Sequence, residues 1–149
     1  AGVEVVIISG RSSRALELRA QNLGITELHM AVEDKRTVMA SLMAKRGLNL
    51  SQAGYMGDDV VDLPVLRACG FSATAADAHP EVISRVDFVA TRGGGRGAAR
   101  EVCDLILKAQ GKWTALMAEY LAETPVAETQ VAETQVAKPQ SAGSAKGSP

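Results

Sequence analysis

The chain has 149 residues, 46% of them hydrophobic, and 16 basic against 17 acidic side chains leave a net charge of -1. That length suits one domain with a core of its own, and the near-neutral balance gives no field to gather nucleic acid or an anionic membrane surface. No apolar run reaches the roughly 20 residues that span a bilayer, and no signal-peptide pattern opens the chain, so no membrane association and a cytoplasmic location are expected.

In chain order, "VEVVII" from Val3 to Ile8 is a near-continuous β-branched run closed by Ser9 and Gly10, which predicts a strand buried on both faces. "SSRALELRAQNLG" follows with a helical spacing of leucines, Ser12 or Ser13 as N-cap and Gly24 as stop. "TELHMAV" predicts a short strand, and "DKRTVMASLMAKRG" a helix capped by Asp34 and ended at Gly47. "QAGYMG" reads as a second buried strand and "VDLPVLRACG" as a short helix. "FSATAAD" and "DFVAT" predict two more strands, separated by a helical turn opened by Pro80. After Gly93 to Gly97, "AAREVCDLILKAQG" places Val102, Leu105 and Ile106 on one helical face before Gly111.

Strands alternating with helices predict an α/β domain: a Rossmann-like parallel sheet with helices on both faces, since parallel neighbours need a crossover that packs back on the sheet. Function in such sheets gathers at the carboxyl ends of the strands, where Ser9, Asp58 and Asp77 fall together. The domain is expected over residues 1–122. Residues 123–149 carry the pentapeptide VAETQ twice with no Leu, Ile or aromatic residue, which predicts a low-complexity, disordered tail.

The residues available for chemistry are few. Ser9-Gly10-Arg11 combines a hydroxyl, free backbone N–H groups and a helix start, an anion-site pattern; alone it reads more simply as a capping turn. Lys35 sits at a helix N-terminus, where a cation wants a compensating anion; the neighbours Glu33 and Asp34 are the simplest partners. Lys45, Arg46 and Arg100 are expected to be solvated. "YMGDDVVDLP" sets Asp58, Asp59 and Asp62 within five positions at a strand end. A hard cation suits such oxygens, Mg²⁺ being the natural one without a nearby His or Cys. Asp59 is placed to cap the following helix. "RGGGRG", Arg92 to Gly97, fits a clamp for phosphate or carboxylate, or a mobile loop. Cys69 and Cys103 read as buried reduced thiols, and His29 and His79 as surface or loop residues.

Taken in order, "IISGR", "DKRTVMASLM", "YMGDDVVDLPVL" and "ATAADAHPEVISRVDFVATRGGGRGAAREVCDLILKAQGKW" resemble the haloacid dehalogenase superfamily. Within it they resemble the cap-less 3-deoxy-D-manno-octulosonate 8-phosphate phosphatases. The resemblance implies a Mg²⁺-dependent hydrolysis of a small sugar-acid phosphate to the free acid and phosphate, in lipopolysaccharide precursor synthesis. It assigns Ser9 and Gly10 to the phosphoryl group, Lys35 to neutralising nucleophile and phosphate, Asp58 to Mg²⁺, Asp62 to a supporting catalytic role and Asp59 to a second or alternative metal position. It also implies a homotetramer in which Arg11 and Arg96, the latter from a neighbouring subunit, bind the sugar acid.

The family's DxDG segment, whose first aspartate is the nucleophile and whose second is the acid and base, has no counterpart before Ser9. The expectation is therefore a domain lacking its N-terminal strand unit, inactive without its nucleophile and N-terminally incomplete. Two alternatives stand beside it: a non-catalytic oligomerisation module of the same fold, and a phosphatase for a related nonulosonate 9-phosphate.

Overall fold

The computed structural model describes residues 2–122; the predicted tail lies outside them. Five strands and six helices follow one another as β1 (Val6–Ile8), α1 (Arg14–Asn22), β2 (Glu27–His29), α2 (Lys35–Lys45), β3 (Gly54–Met56), α3 (Leu63–Leu66), β4 (Phe71–Thr74), α4 (Pro80–Ile83), β5 (Phe88–Val89), α5 (Ala98–Ala109) and α6 (Trp113–Leu121) among the described residues. Every strand pairing is parallel, so each needs a crossover, and the fold class is α/β. The ladders form two sheets, β1-β2 and β3-β4-β5, and no ladder joins β1 to β3.

Local chemistry sets most boundaries. Ser13 caps α1, its Oγ accepting from Leu16 N–H at 3.4 Å, and Asp34 caps α2, accepting from Thr37 N–H at 2.9 Å. Pro80 opens α4, where its missing N–H costs nothing. Gly24 and Gly47 take positive φ just past α1 and α2, the left-handed stop that a Cβ disfavours.

The core sits on β4. Ser72, Ala73 and Thr74 are buried, and Val65, Leu66 and Val82 pack from α3 and α4 with almost no exposed surface. Ala75, Ala90 and Ala98 form a small cluster against Met56 and Phe88, closing β5 and α5 onto the same sheet. The carboxylate of Asp87 accepts from Ser72 N–H and Oγ at 2.8 and 2.7 Å, and these bonds hold it below the usual carboxylate range.

Several expectations are corrected. β1 is not buried on both faces: Val6–Ile8 is half-buried, Val3 and Val5 are largely exposed, and among the described residues β1 pairs on one edge only. β3 is likewise half-buried, with Gly54 exposed. Arg46 is not merely solvated. Its guanidinium pairs with Glu4 and Glu27, and hydrogen bonds from Arg46 are the main reason both carboxyls lie below their usual range. Arg100 is exposed but pairs with Asp104 one turn on. Cys103 is exposed, because the buried stripe of α5 runs through Ala98 and Val102 and Cys103 falls one position off it. Cys69 is free and half-buried, and burial pushes its thiol up. Helix α6 follows Gly111 without having been anticipated; none of its residues is buried, and Lys108 of α5 lies over the Trp113 ring.

One backbone feature makes a simple prediction. Ala31, exposed and just past β2, has φ 54, a left-handed conformation that costs an L-residue about 1–2 kcal/mol. Ala31→Gly removes that strain while adding unfolded-state entropy worth about 0.4–1 kcal/mol. The expected net gain is about 0.5–1 kcal/mol in urea unfolding; a loss of stability would mean that the Ala31 methyl contributes packing that its exposure does not suggest.

Candidate active site

The carboxyl end of β1 is held by backbone before any side chain acts. Ser9 N–H donates to His29 O at 2.8 Å and Val32 N–H to Ser9 O at 3.0 Å, so the parallel pairing with β2 runs on past both strands. Ser9 Oγ then accepts from Arg11 N–H at 3.1 Å and donates to Arg11 O at 3.0 Å, which folds Ser9-Gly10-Arg11 into a tight turn. Gly10 faces α2: a Cβ placed on it would lie 3.9 Å from Lys35 Cε and 3.6 Å from Val32 O. The Arg11 side chain makes no hydrogen bond or ion pair among the described residues.

Lys35 opens α2, and its partner is neither Glu33 nor Asp34. Asp34 is engaged in capping, with Thr37 on both carboxylate oxygens, and these bonds keep its carboxyl below the ordinary range. Lys35 Nζ instead reaches across 27 residues to Asp62 Oδ1 at 2.5 Å, with side chains only 12% and 4% exposed. This is a largely buried ion pair, and it ties the start of α2 to the loop after β3.

That loop divides its three aspartates among three tasks. Asp62 is buried, and besides Lys35 it accepts Asp58 N–H at 3.1 Å and Asp59 N–H at 3.2 Å on Oδ2. Both of its oxygens are engaged, so it supports the loop and the lysine. Gly57 makes this approach feasible: a Cβ there would sit 2.6 Å from Asp62 Cγ. Thr74 Oγ1 donates to Gly57 O at 2.7 Å, anchoring the turn to β4. Asp59 caps the 3-10 turn Val60–Asp62, accepting from Val60 N–H at 2.7 Å. Asp58 is exposed; its carbonyl accepts His79 N–H at 2.9 Å, and its carboxylate makes no hydrogen bond or ion pair among the described residues.

Tyr55 is the residue that motif reading passed over. It lies two positions before Gly57 on β3, and its hydroxyl is pushed far above the usual phenol range, first by burial and then by the nearby charge of Asp62. Its ring is half-buried beside the aspartate that holds Lys35. Its signal in the sequence was the period-two spacing to Gly57, which aims both positions at one face.

The structure thus brings Ser9, Gly10, Lys35, Asp62 and Asp58 to one edge. Arg96 stands apart, exposed in the glycine turn with its N–H on Gly93 O at 3.1 Å, and no hydrogen bond or ion pair joins it to Lys35 or Asp58 among the described residues. His29 pairs with Glu27 at 3.1 Å, and His79 caps α4 through Nδ1. Among the described residues no group of three or more His, Cys, Asp and Glu side chains is placed to enclose a metal ion. Asp58 offers the donor chemistry that Mg²⁺ takes, a hard carboxylate with room for water and phosphate oxygens around it.

No family model matches the chain. It is 46% identical over 110 residues to the 3-deoxy-D-manno-octulosonate 8-phosphate phosphatase KdsC of Escherichia coli strain K12, over 74% of this chain and 58% of that protein. The chain therefore spans little more than half the length of that relative. A probable YrbI family phosphatase from Pseudomonas syringae pv. phaseolica superposes with a TM-score of 0.80 at 42% identity, over 83% of this chain and 70% of that one. The 3-deoxy-D-manno-octulosonate 8-phosphate phosphatase of Moraxella catarrhalis, solved with a magnesium ion, a phosphate ion and a KDO molecule, superposes with a TM-score of 0.77 at 39% identity. That match covers 80% of this chain and 68% of that one.

Proposed function

The chain belongs to the 3-deoxy-D-manno-octulosonate 8-phosphate phosphatase family of the haloacid dehalogenase superfamily, and from that premise we propose that it forms the greater part of a Mg²⁺-dependent phosphatase. The reaction is hydrolysis of 3-deoxy-D-manno-octulosonate 8-phosphate to the sugar acid and phosphate. The observation that carries this reading is the buried Lys35–Asp62 pair at 2.5 Å, because it draws the cation of one motif and the acidic loop of another beside the Ser9-Gly10 turn. Gly10 N–H donates to the phosphoryl oxygens, and Ser9 Oγ joins it by turning its one hydroxyl proton from Arg11 O onto the phosphoryl group. Lys35, which keeps two N–H donors after bonding Asp62, neutralises charge on the phosphoryl group. Asp62 aims that lysine and takes no part as a ligand. Asp58 holds the metal, with Asp59 as the alternative ligand; when bound, Mg²⁺ supplies further charge neutralisation at the phosphoryl group.

In this reading the nucleophilic and acid-base aspartates lie outside the 149 residues. They arrive on a parallel strand between β1 and β3, where no ladder joins the two sheets. Arg11 and the neighbouring subunit's Arg96 bind the sugar-acid carboxylate in a cytoplasmic homotetramer. No helix among the described residues is long and apolar enough to cross a membrane. The competing reading, a non-catalytic assembly module of the same fold, is favoured only by the lack of a nucleophile among the described residues. A phosphate-release assay separates them, with light scattering to establish assembly: a well-folded tetramer that stays inactive when an upstream strand with paired aspartates is added supports the module.

Metal binding is testable without turnover. Asp58→Asn is expected to weaken Mg²⁺ binding to the chain by at least about tenfold in calorimetric titration, since even outer partners of a metal commonly contribute that much. Unchanged affinity in the variant would remove Asp58 as the ligand.

A further inference from the structure

The segment Arg92 to Gly97 is fastened at its ends and in its middle. Ala76 N–H donates to Arg92 O at 3.0 Å, and Glu101 of α5 accepts from Thr91 N–H and Thr91 Oγ1, each at 2.8 Å. Those bonds grip the entry to the loop. At the other end Gly97 has φ 116, and a Cβ there would lie 2.9 Å from Arg92 Cδ, so the chain folds back on Arg92. The bond inside the loop comes from Asp77, past the end of β4, whose Oδ1 accepts from Gly94 N–H at 2.7 Å. Its carboxylate closely approaches Gly93: a Cβ there would meet Asp77 Oδ2 at 2.6 Å and Cγ at 2.9 Å. Gly93 O in turn accepts Arg96 N–H. Asp77 therefore rests against the residue whose carbonyl holds Arg96.

We propose that Asp77 is a positioning residue: its carboxylate clasps the Gly93–Arg96 turn and so fixes where the Arg96 guanidinium is presented to the sugar-acid carboxylate. This rests on the reading of Arg96 as a substrate ligand given above. A guanidinium binds a carboxylate through a planar pair of donors, so a shift of the turn costs affinity even with the arginine intact. Direct contact of Asp77 with the ligand would have the opposite sign, because a carboxylate beside an anionic sugar acid repels it.

The test is calorimetric binding of 3-deoxy-D-manno-octulosonate to the tetrameric protein extended by its upstream strand, and to its variants. Arg96→Ala is expected to weaken binding, and Asp77→Ala to weaken it by about tenfold, equivalent to about 1.4 kcal/mol. Asp77→Asn should stay close to wild type, since its amide oxygen still accepts from Gly94 N–H. In the Arg96→Ala background, Asp77→Ala should add no more than about twofold, because coupled residues are not additive. Gly93→Ala, which drives a methyl into the same carboxylate from the other side, should reproduce Asp77→Ala if that variant folds poorly. Full additivity of the two changes, tighter binding by Asp77→Ala, or wild-type affinity in both Asp77→Ala and Gly93→Ala while Arg96→Ala is weak overturns the role of Asp77 alone. Wild-type affinity in Arg96→Ala, or no measurable binding by the extended wild-type protein, overturns the reading of Arg96 and the role of Asp77 with it.

Discussion

Phosphate release from 3-deoxy-D-manno-octulosonate 8-phosphate is expected to stay at background with the 149-residue chain and to rise by about 10⁴-fold or more once an upstream segment supplies an apolar strand ending in paired aspartates. The argument is chemical and structural together. On the edge that carries Ser9, Lys35 and Asp58, none of the three aspartates of the acidic loop is set to attack phosphorus: Asp62 is bonded on both oxygens, Asp59 caps a helical turn, and Asp58 lies at the proposed metal position. The same edge falls between two sheets that share no ladder. One added parallel strand would pair with β1 and β3 together and deliver its terminal residues between Ser9 and Asp58. In the extended protein, Lys35→Ala should lower kcat by about 10²–10³-fold, the usual cost of one preorganised cationic or hydrogen-bonding group at the reacting centre. A phosphate-release assay in Mg²⁺ decides the matter. Equal activity of the short and extended chains, or none in either, sinks this account of the missing nucleophile.

The second large effect is on stability. Asp62→Ala should destabilise the domain by about 3–5 kcal/mol, because it leaves the Lys35 charge buried without its partner. It also strips the acceptor from the N–H groups of Asp58 and Asp59, which loosens the loop after β3. Against the 5–15 kcal/mol that ordinarily separates a folded domain from its unfolded state, about 3–5 is a large share. Lys35→Met should cost less, since Asp62 keeps both backbone donors, and the double variant Lys35→Met, Asp62→Ala should be more stable than Asp62→Ala alone. Urea unfolding of the three variants measures the coupling directly. An Asp62→Ala midpoint equal to wild type would show that water reaches the pair and that its burial has little consequence.

Much of the local architecture was legible in the sequence because it depends on neighbours within one helical turn. Ser13, Asp34 and Pro80 open helices for reasons contained in three or four residues. The positive φ of Gly24 and Gly47 is equally local. Strand positions followed from apolar runs, but their burial did not. Val3 to Ile8 carries the composition of a strand covered on both faces, and only a neighbour on each edge and face can realise it; β1 has one ladder partner. Helix α6 escaped notice because Trp113–Leu121 is apolar without a buried stripe, so its sequence carries no sharp periodic signal.

What the sequence determined by itself is the alternation of strands and helices, the helix caps, and the order of motifs that marks the family. These are properties of short segments and of their succession. What tertiary structure alone decided is who meets whom across long stretches of chain. Lys35 passes over the adjacent Glu33 and Asp34 to pair with Asp62, 27 residues away, and Arg46 closes on Glu4, 42 residues away. It also decided how three consecutive-looking aspartates divide into a lysine partner, a helix cap and an unpaired carboxylate. Spacing can bring such groups to one loop, but each carboxylate's task is set by which donors the crossovers carry to it and by how little water remains there to compete.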